Sequence, residues 1–233
     1  RANFPQLIQA YKQASAGKSN TLKAGDTIKL KQVPGSPPVR LRCLCASGEV
    51  IADTPQHPLN PLASENKPHP VDTSDNARSV GVLLTFGDWS FLDLGDLTWN
   101  VEYKLIAPRD KIGKVDVYQV THHGLEISNN TVLLKTVQPR VAICNNGPRK
   151  GGHPLVFGSL RRLPGFEGIY QVHRNLTATD AENTDPERIA NDGRKKETGQ
   201  NITLRVAPDA RSYTVDVRGK VFRHQTRESA PDK

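Results

Sequence analysis

Apolar and polar positions follow two different spacings along the chain, and the changeovers between them mark out the elements. Gly25 to Lys31 and Val39 to Cys45 alternate with a period of two, which predicts strands covered on one face, with the turn between them over Pro34 to Pro38. Glu49 to Ala52 adds a short third piece. Ser79 to Phe86 and Trp89 to Leu94 are apolar runs joined at Gly87-Asp88, the strongest hairpin signal in the chain. Beyond them the spacing turns helical over Trp99 to Arg109, Asn129 to Val137 with Ser128 as its cap, and Leu155 to Leu163. Between these lie the buried strands Lys114 to Val120, Arg140 to Cys144 and Gly168 to Val172. Strand, helix and strand in succession imply right-handed parallel crossovers, so the fold class is α/β.

The flanking segments carry less pattern. Phe4, Leu7, Ile8, Ala10 and Tyr11 predict a short amphipathic helix ended by Gly17, serving packing more than chemistry. Asp53 to Asn76 holds five prolines and no periodicity, so it reads as a long loop, functional or mobile. His57 and His69 within it read as solvated, the alternative being a lid over a crevice. Asn175 to Gln200 is polar with charges of both signs and reads as a mobile excursion. Asn201 to Val206, Ser212 to Val217 and Lys220 to Phe222 close the chain as a β meander, and Arg223 to Lys233 is expected to fray. Residues 1–225 are therefore expected to form one domain, with 226–233 as a tail.

Parallel strands deliver their carboxyl ends to one edge of a sheet, where ligands of open sheets bind. Asp96, the pair His122 and His123, the pair Asn145 and Asn146, and His173 all fall at such ends. Their coincidence weighs more than any one of them. Asp96 follows a glycine and can present two oxygens to two cations; capping the helix that starts at Trp99 is the alternative. Adjacent side chains leaving a strand diverge, so His122 and His123 are not both expected to reach one ion. Gly147 to Gly152 is glycine-rich and basic, and Arg149 and Lys150 could hold a negatively charged substrate; a tight turn with exposed charges is the alternative. It lacks the Lys-Ser/Thr ending of a nucleotide-triphosphate loop. His153 and His173 are candidates for lining a pocket. No Gly-x-Ser-x-Gly occurs, so serine-hydrolase chemistry has no support.

Composition adjusts this reading only slightly. Lys plus Arg number 32 against 24 Asp plus Glu, a net charge of +8 that favours anionic substrates or partners, nucleic acid among them. The three cysteines cannot build a disulfide framework, and Cys43 and Cys45, two apart on one strand face, read as small buried residues. No apolar run approaches the roughly 18 residues of a membrane span.

Gly95-Asp96 after one apolar strand and His122-His123-Gly124 after the next resemble the second half of a metallo-beta-lactamase-fold hydrolase, in the branch related to the hydrolase domain of bacterial competence proteins. Asn145-Asn-Gly-Pro-Arg-Lys-Gly-Gly152 and Tyr170-Gln-Val-His173 are similar to a narrower bacterial group in that branch. The resemblance covers roughly Lys23 to Ala190. It implies a four-layer αβ/βα sandwich and a hydrolase with two divalent metal ions, zinc being the usual choice. It also implies Asp96 as the residue bridging the metals and His123 as a metal ligand. His122 is then left to catalysis or substrate contact, and Asn145, Asn146, Arg149, Lys150, His153 and His173 to substrate binding.

A phosphoester is the expected substrate, and an ester or lactone is the alternative. The family's first metal motif, His-x-His-x-Asp-His, is missing from these residues. Since the chain opens on Arg1 and contains no Met, it is expected to be the carboxyl-terminal part of a longer protein, inactive and without tightly bound metal by itself. Relatives of this type are often exported, which leaves the compartment and the oligomeric state open. A noncatalytic module of the same fold that binds an anionic polymer is the alternative function.

Overall fold

The structure is a computed structural model and describes residues 3–194 and 199–228. A nine-stranded mixed sheet lies at its centre, in the order β1 (Thr27–Ile28), β2 (Val39–Ala46), β4 (Gly81–Phe86), β5 (Trp89–Asp93), β6 (Val117–Gln119), β7 (Val141–Cys144), β8 (Gly168–His173) and β9 (Ile189–Asn191), with β3 (Glu49–Val50) paired to β2. The pairs among β1, β2, β3, β4 and β5 are antiparallel, and from β5 to β9 every pair is parallel. Phe86 pairs with Trp89, so Gly87 and Asp88 form the two-residue hairpin loop, and Gly87 takes the positive φ (54°) that such a turn needs.

Alternation along each strand sends successive side chains to opposite faces. Tyr118, Ala142, Cys144 and Ile169 pack with the helices α2 (Trp99–Lys104), α3 (Thr131–Val137) and α4 (Pro154–Arg161). Val117, Val141, Ile143 and Tyr170 face the other way, against Tyr213, Val215 and Val217. Those three belong to a separate antiparallel sheet of β10 (Ile202–Val206), β11 (Ser212–Val217) and β12 (Lys220–Gln225). Both faces of the central strands are therefore dry, which is why they read as continuous apolar runs. Each fully buried aliphatic side chain there contributes roughly 1.5–3 kcal/mol. Helices, large sheet and small sheet make three stacked layers, in keeping with the α/β expectation and with three of the four layers that the resemblance implies.

Several expectations need correcting. The helix α1 (Phe4–Ser15) forms but buries none of its residues, so it does not pack as expected. Helix α2 ends at Lys104 instead of Arg109, in keeping with Pro108, which disfavours helical backbone just before it. The cap of α3 is Asn130, whose side chain accepts from the N–H groups of Val132 and Leu133, and Ser128 is used elsewhere.

The proline-rich stretch is a fixed strap. Asn60 is buried and donates to the Ile106 carbonyl, Trp99 donates to the Lys67 carbonyl, and the His69 ring stacks on Trp99 at 4.0 Å. His69 is therefore not the solvated loop residue that composition suggested.

The segment read as a mobile excursion contributes edge strand β9 and a loop whose Asn175, Asn183 and Thr184 are buried and hydrogen-bonded. The tail does not fray where expected, because β12 runs to Gln225 and the Arg227 N–H reaches Asp116 at 2.7 Å. Its last residues, 229–233, lie outside the described ones, as do 195–198 of the excursion. No helix among the described residues is long and apolar enough to cross a membrane.

Candidate functional site

Two turns leave the parallel edge of the sheet side by side and are stitched together. The His122 N–H donates to the Gly95 carbonyl at 2.9 Å, and the Trp99 N–H to the Ile127 carbonyl at 3.1 Å. Asp96 stands on the first turn, its N–H held by the Ser79 hydroxyl. It is not the cap of α2, a position taken by Thr98.

His122 and His123 both take left-handed backbone, with φ of 53° and 58°. Two consecutive non-glycine residues there cost of order 1–3 kcal/mol each and persist only under firm support. Because the backbone is not extended, the alternation expected of a strand does not apply, and the two rings do not diverge. Instead, His122 Nε2 lies 3.9 Å from one Asp96 oxygen and His123 Nε2 lies 3.6 Å from the other.

The other ring nitrogens fix the tautomers. The Ser128 hydroxyl donates to the Leu97 carbonyl at 2.6 Å, so at 3.1 Å from His122 Nδ1 it can only accept, and the proton sits on Nδ1. His123 Nδ1 likewise donates to the Asn145 carbonyl at 2.8 Å. In both rings Nδ1 is thus the hydrogen-bonded nitrogen, which leaves Nε2 as the atom beside the Asp96 carboxylate. Burial lowers the pKa of His122, with His123 and Lys150 adding to that and Asp96 and Asp72 opposing it, which keeps the ring neutral. The Asn76 amide nitrogen, 3.3 Å from His122 Nε2, donates to its one remaining lone pair, so a cation could take the nitrogen only by displacing Asn76.

Gly151 and Gly152 hold His123 from behind. The Gly152 N–H donates to the His123 carbonyl at 2.8 Å, and a methyl group on Gly151 would stand 2.1 Å from that oxygen. Only glycine permits this approach.

Imidazole nitrogen and carboxylate oxygen are donors that suit a divalent cation of the zinc type. The nitrogen–oxygen gaps exceed hydrogen-bond reach but lie within the roughly 4 Å that two ligand bonds of about 2 Å can span. Asp96 and the two histidines thus fit as part of a cation's shell. Among the described residues no group of three or more His, Cys, Asp or Glu side chains is arranged to hold a metal ion, and the two histidines approach Asp96, one at each oxygen, without completing one.

The remaining predicted residues divide. Asn145 contributes its backbone carbonyl to His123. Asn146 is buried and its side chain is spent on Gly147 and His173 backbone, so it ties two strand ends together and is not free to meet a substrate. His173 is held through that same backbone contact. His153 caps α4, accepting from the Leu155 N–H, with its other nitrogen 3.9 Å from Glu126. Arg149 and Lys150 are exposed on the tight turn closed by the Gly147 N–H and the Lys150 carbonyl, and Lys150 is near enough for its charge to bear on His122.

Sequence reasoning missed Asn76 and Asp72, which lie in the aperiodic strap, and Ser128, which it assigned to a helix. Two hollows of about 330 and 360 Å³ flank the stacked His69 and Trp99. Asn76 lines the first and Ser128 the second.

No family model matches the chain. Over 99 residues, 41% of its length, the chain is 39% identical to Recombination protein 2 of Haemophilus influenzae, and the matched stretch is 12% of that protein. Its backbone is similar to the crystal structure of a "Putative metal-dependent hydrolase" from Parabacteroides distasonis, with a TM-score of 0.37 and 16% identity over 71% of this chain and 62% of that one. That likeness is too slight to assign chemistry.

Proposed function

We propose that this chain carries part of the site of a hydrolase using two divalent metal ions, zinc being the expected one, and acting on a phosphoester bond. The observation that carries the reading is the convergence of two imidazole Nε2 atoms, one on each oxygen of Asp96. A cation bound there would supply Lewis acidity and a water of pKa lowered to about 7.

Within the chain, Asp96 would bridge the two ions and His123 would serve as a ligand, with His122 as a second imidazole donor or a contact to the reacting group. Ser128 and Asn145 keep the ring protons on the far side. Lys150 and Arg149 would hold the negative charge of the substrate, and the hollows beside Trp99 would take its uncharged part. Two catalytic cations need more donors than one carboxylate and two imidazoles, since a catalytic zinc commonly takes three protein ligands of its own. The others would come from residues outside this sequence, in a His-x-His-x-Asp-His motif.

Calorimetric titration with zinc tests this. The chain should take up metal weakly or not at all, and Asp96→Ala should abolish any uptake. Tight binding of two equivalents would refute the placement of the missing ligands. In a longer chain that includes such a motif, absence of phosphodiester turnover would refute the hydrolase, and turnover unaffected by Asp96→Ala would refute the role of Asp96. The net charge of +8 and the exposed Arg149–Lys150 turn favour a second reading, a noncatalytic module for an anionic polymer such as nucleic acid. Salt-dependent binding without turnover in that longer chain would support it.

A further inference from the structure

Glu102 belongs to none of the groups that face the crevice, yet the loop bearing the histidines is fastened to it. It lies on α2 and is fully buried. One carboxylate oxygen accepts the Asn129 N–H at 3.0 Å, and the other accepts the Asn130 N–H at 2.7 Å. Asn129 has φ of 65°, and its side chain amide reaches back to the carbonyls of Thr121 and Leu125, at 3.0 Å each, while Tyr118 donates to its oxygen. Residues 121–130 are thus a closed loop whose far end hangs on one carboxylate. Ser128, next to that anchor, is the residue whose hydroxyl accepts the His122 Nδ1 proton.

Building on the reading of the crevice above, we infer that Glu102 is a positioning residue that sets the tautomer and heading of the His122 ring. It acts through Asn129, Asn130 and Ser128, without touching the crevice itself. His123 lies outside this relay, because its ring is held by the Asn145 carbonyl beyond β7. A carboxylate suits the post because it only accepts, so it can meet two backbone N–H groups at once. An amide of the same shape would accept one and confront the other with its own N–H.

The test is nitrogen-15 NMR of the histidine ring nitrogens in metal-free protein at pH 8.5, above the raised pKa of Glu102. In the unaltered chain both His122 and His123 should show the single Nδ1–H pattern. In Glu102→Gln, His122 should lose that single pattern and show a mixture of tautomers, while His123 stays as it was. A structural role alone would not separate the two rings. Unchanged His122, or both rings changing together, would overturn the inference.

If Glu102→Gln does not fold, Glu102→Asp, which keeps the charge but shortens the reach by one methylene, is read by the same two criteria. Ser128→Ala should reproduce the His122 change, and no change there would equally overturn the relay. Since no metal is added, this result is read apart from the hydrolase reading, which fails on its own if a longer chain that includes the missing motif shows no phosphodiester turnover.

Discussion

The charge of Glu102 can be weighed directly through the dependence of stability on pH. Burial pushes its carboxyl up from 4.5 to about 7, against the pull of the Asn130 and Asn129 N–H groups and the Thr121 hydroxyl. An acid whose pKa is raised on folding binds its proton more tightly in the folded chain. Its contribution to stability is therefore complete below about 4.5 and is lost as pH rises through about 7. The gap of about 2.5 units, at about 1.4 kcal/mol per unit, amounts to about 3 kcal/mol.

Glu102→Gln removes this titration, whereas Asp116 and Glu167 titrate in both proteins and cancel in the difference. Urea unfolding, followed by the fluorescence of buried Trp89, should show the stability of the unaltered chain relative to Glu102→Gln falling by about 3 kcal/mol between pH 4.5 and 8.5. A difference independent of pH would mean that two charge-assisted hydrogen bonds offset the desolvation. A difference that grows with pH would mean that they exceed it. Either result refutes the balance worked out here.

Three further outcomes follow from other contacts. Gly151→Ala places a methyl group 2.1 Å from the His123 carbonyl oxygen at a φ of 83°, and should cost more than about 2 kcal/mol in urea unfolding while weakening zinc uptake. His224→Ala takes the acceptor from the buried Tyr170 hydroxyl and one donor from Glu167, a loss of about 3 kcal/mol that amide exchange should register first in β10, β11 and β12. In the unaltered chain burial alone would raise the Glu167 pKa, but hydrogen bonds from His224 and Arg140 more than offset it. The stabilisation is therefore present above about 4.5 and lost as pH falls through the lowered value, and His224→Ala should flatten that acid limb. Burial raises the Cys43 thiol and pushes Cys45 and Cys144 to about 12, so none of the three should react with a disulfide reagent at pH 8 until the chain is unfolded.

The fold was legible wherever burial imposed a period. The hairpin at Gly87-Asp88, the parallel strands and the crossover helices were all announced by spacing, because each has one or two faces that must stay dry. Strand β9 was not, since Ile189-Ala-Asn191 is too short to show a period and sits among charges. The strap over 53–76 was taken for a loose loop for a related reason. It is held by single contacts, such as Asn60 to the Ile106 carbonyl and His69 on Trp99, and a single contact leaves no period behind.

Which residues come together at the candidate site was legible, and how they do so was not. Asp96 and the histidine pair stood out because buried strands led to them, but the rule that neighbours diverge does not hold for the rings of His122 and His123. That rule assumes extended backbone, and residues 122 and 123 are both left-handed. Gly124 hinted at an unusual turn. The groups that impose it are Glu102, Asn129 and Ser128 on one side and Gly151 and Gly152 on the other, which lie 20 or more residues from the pair or read as an ordinary helix start. Strained backbone has to be imposed by groups that already have their own partners. Two of the imposing groups here are satisfied apart from the histidines, Ser128 by Leu97 and Glu102 by two backbone N–H groups, while Gly152 donates to His123 directly. Ser128 and the Asn145 carbonyl thus hold the two rings through their Nδ1 atoms, and a cation at Asp96 would meet rings whose orientation the fold itself fixes.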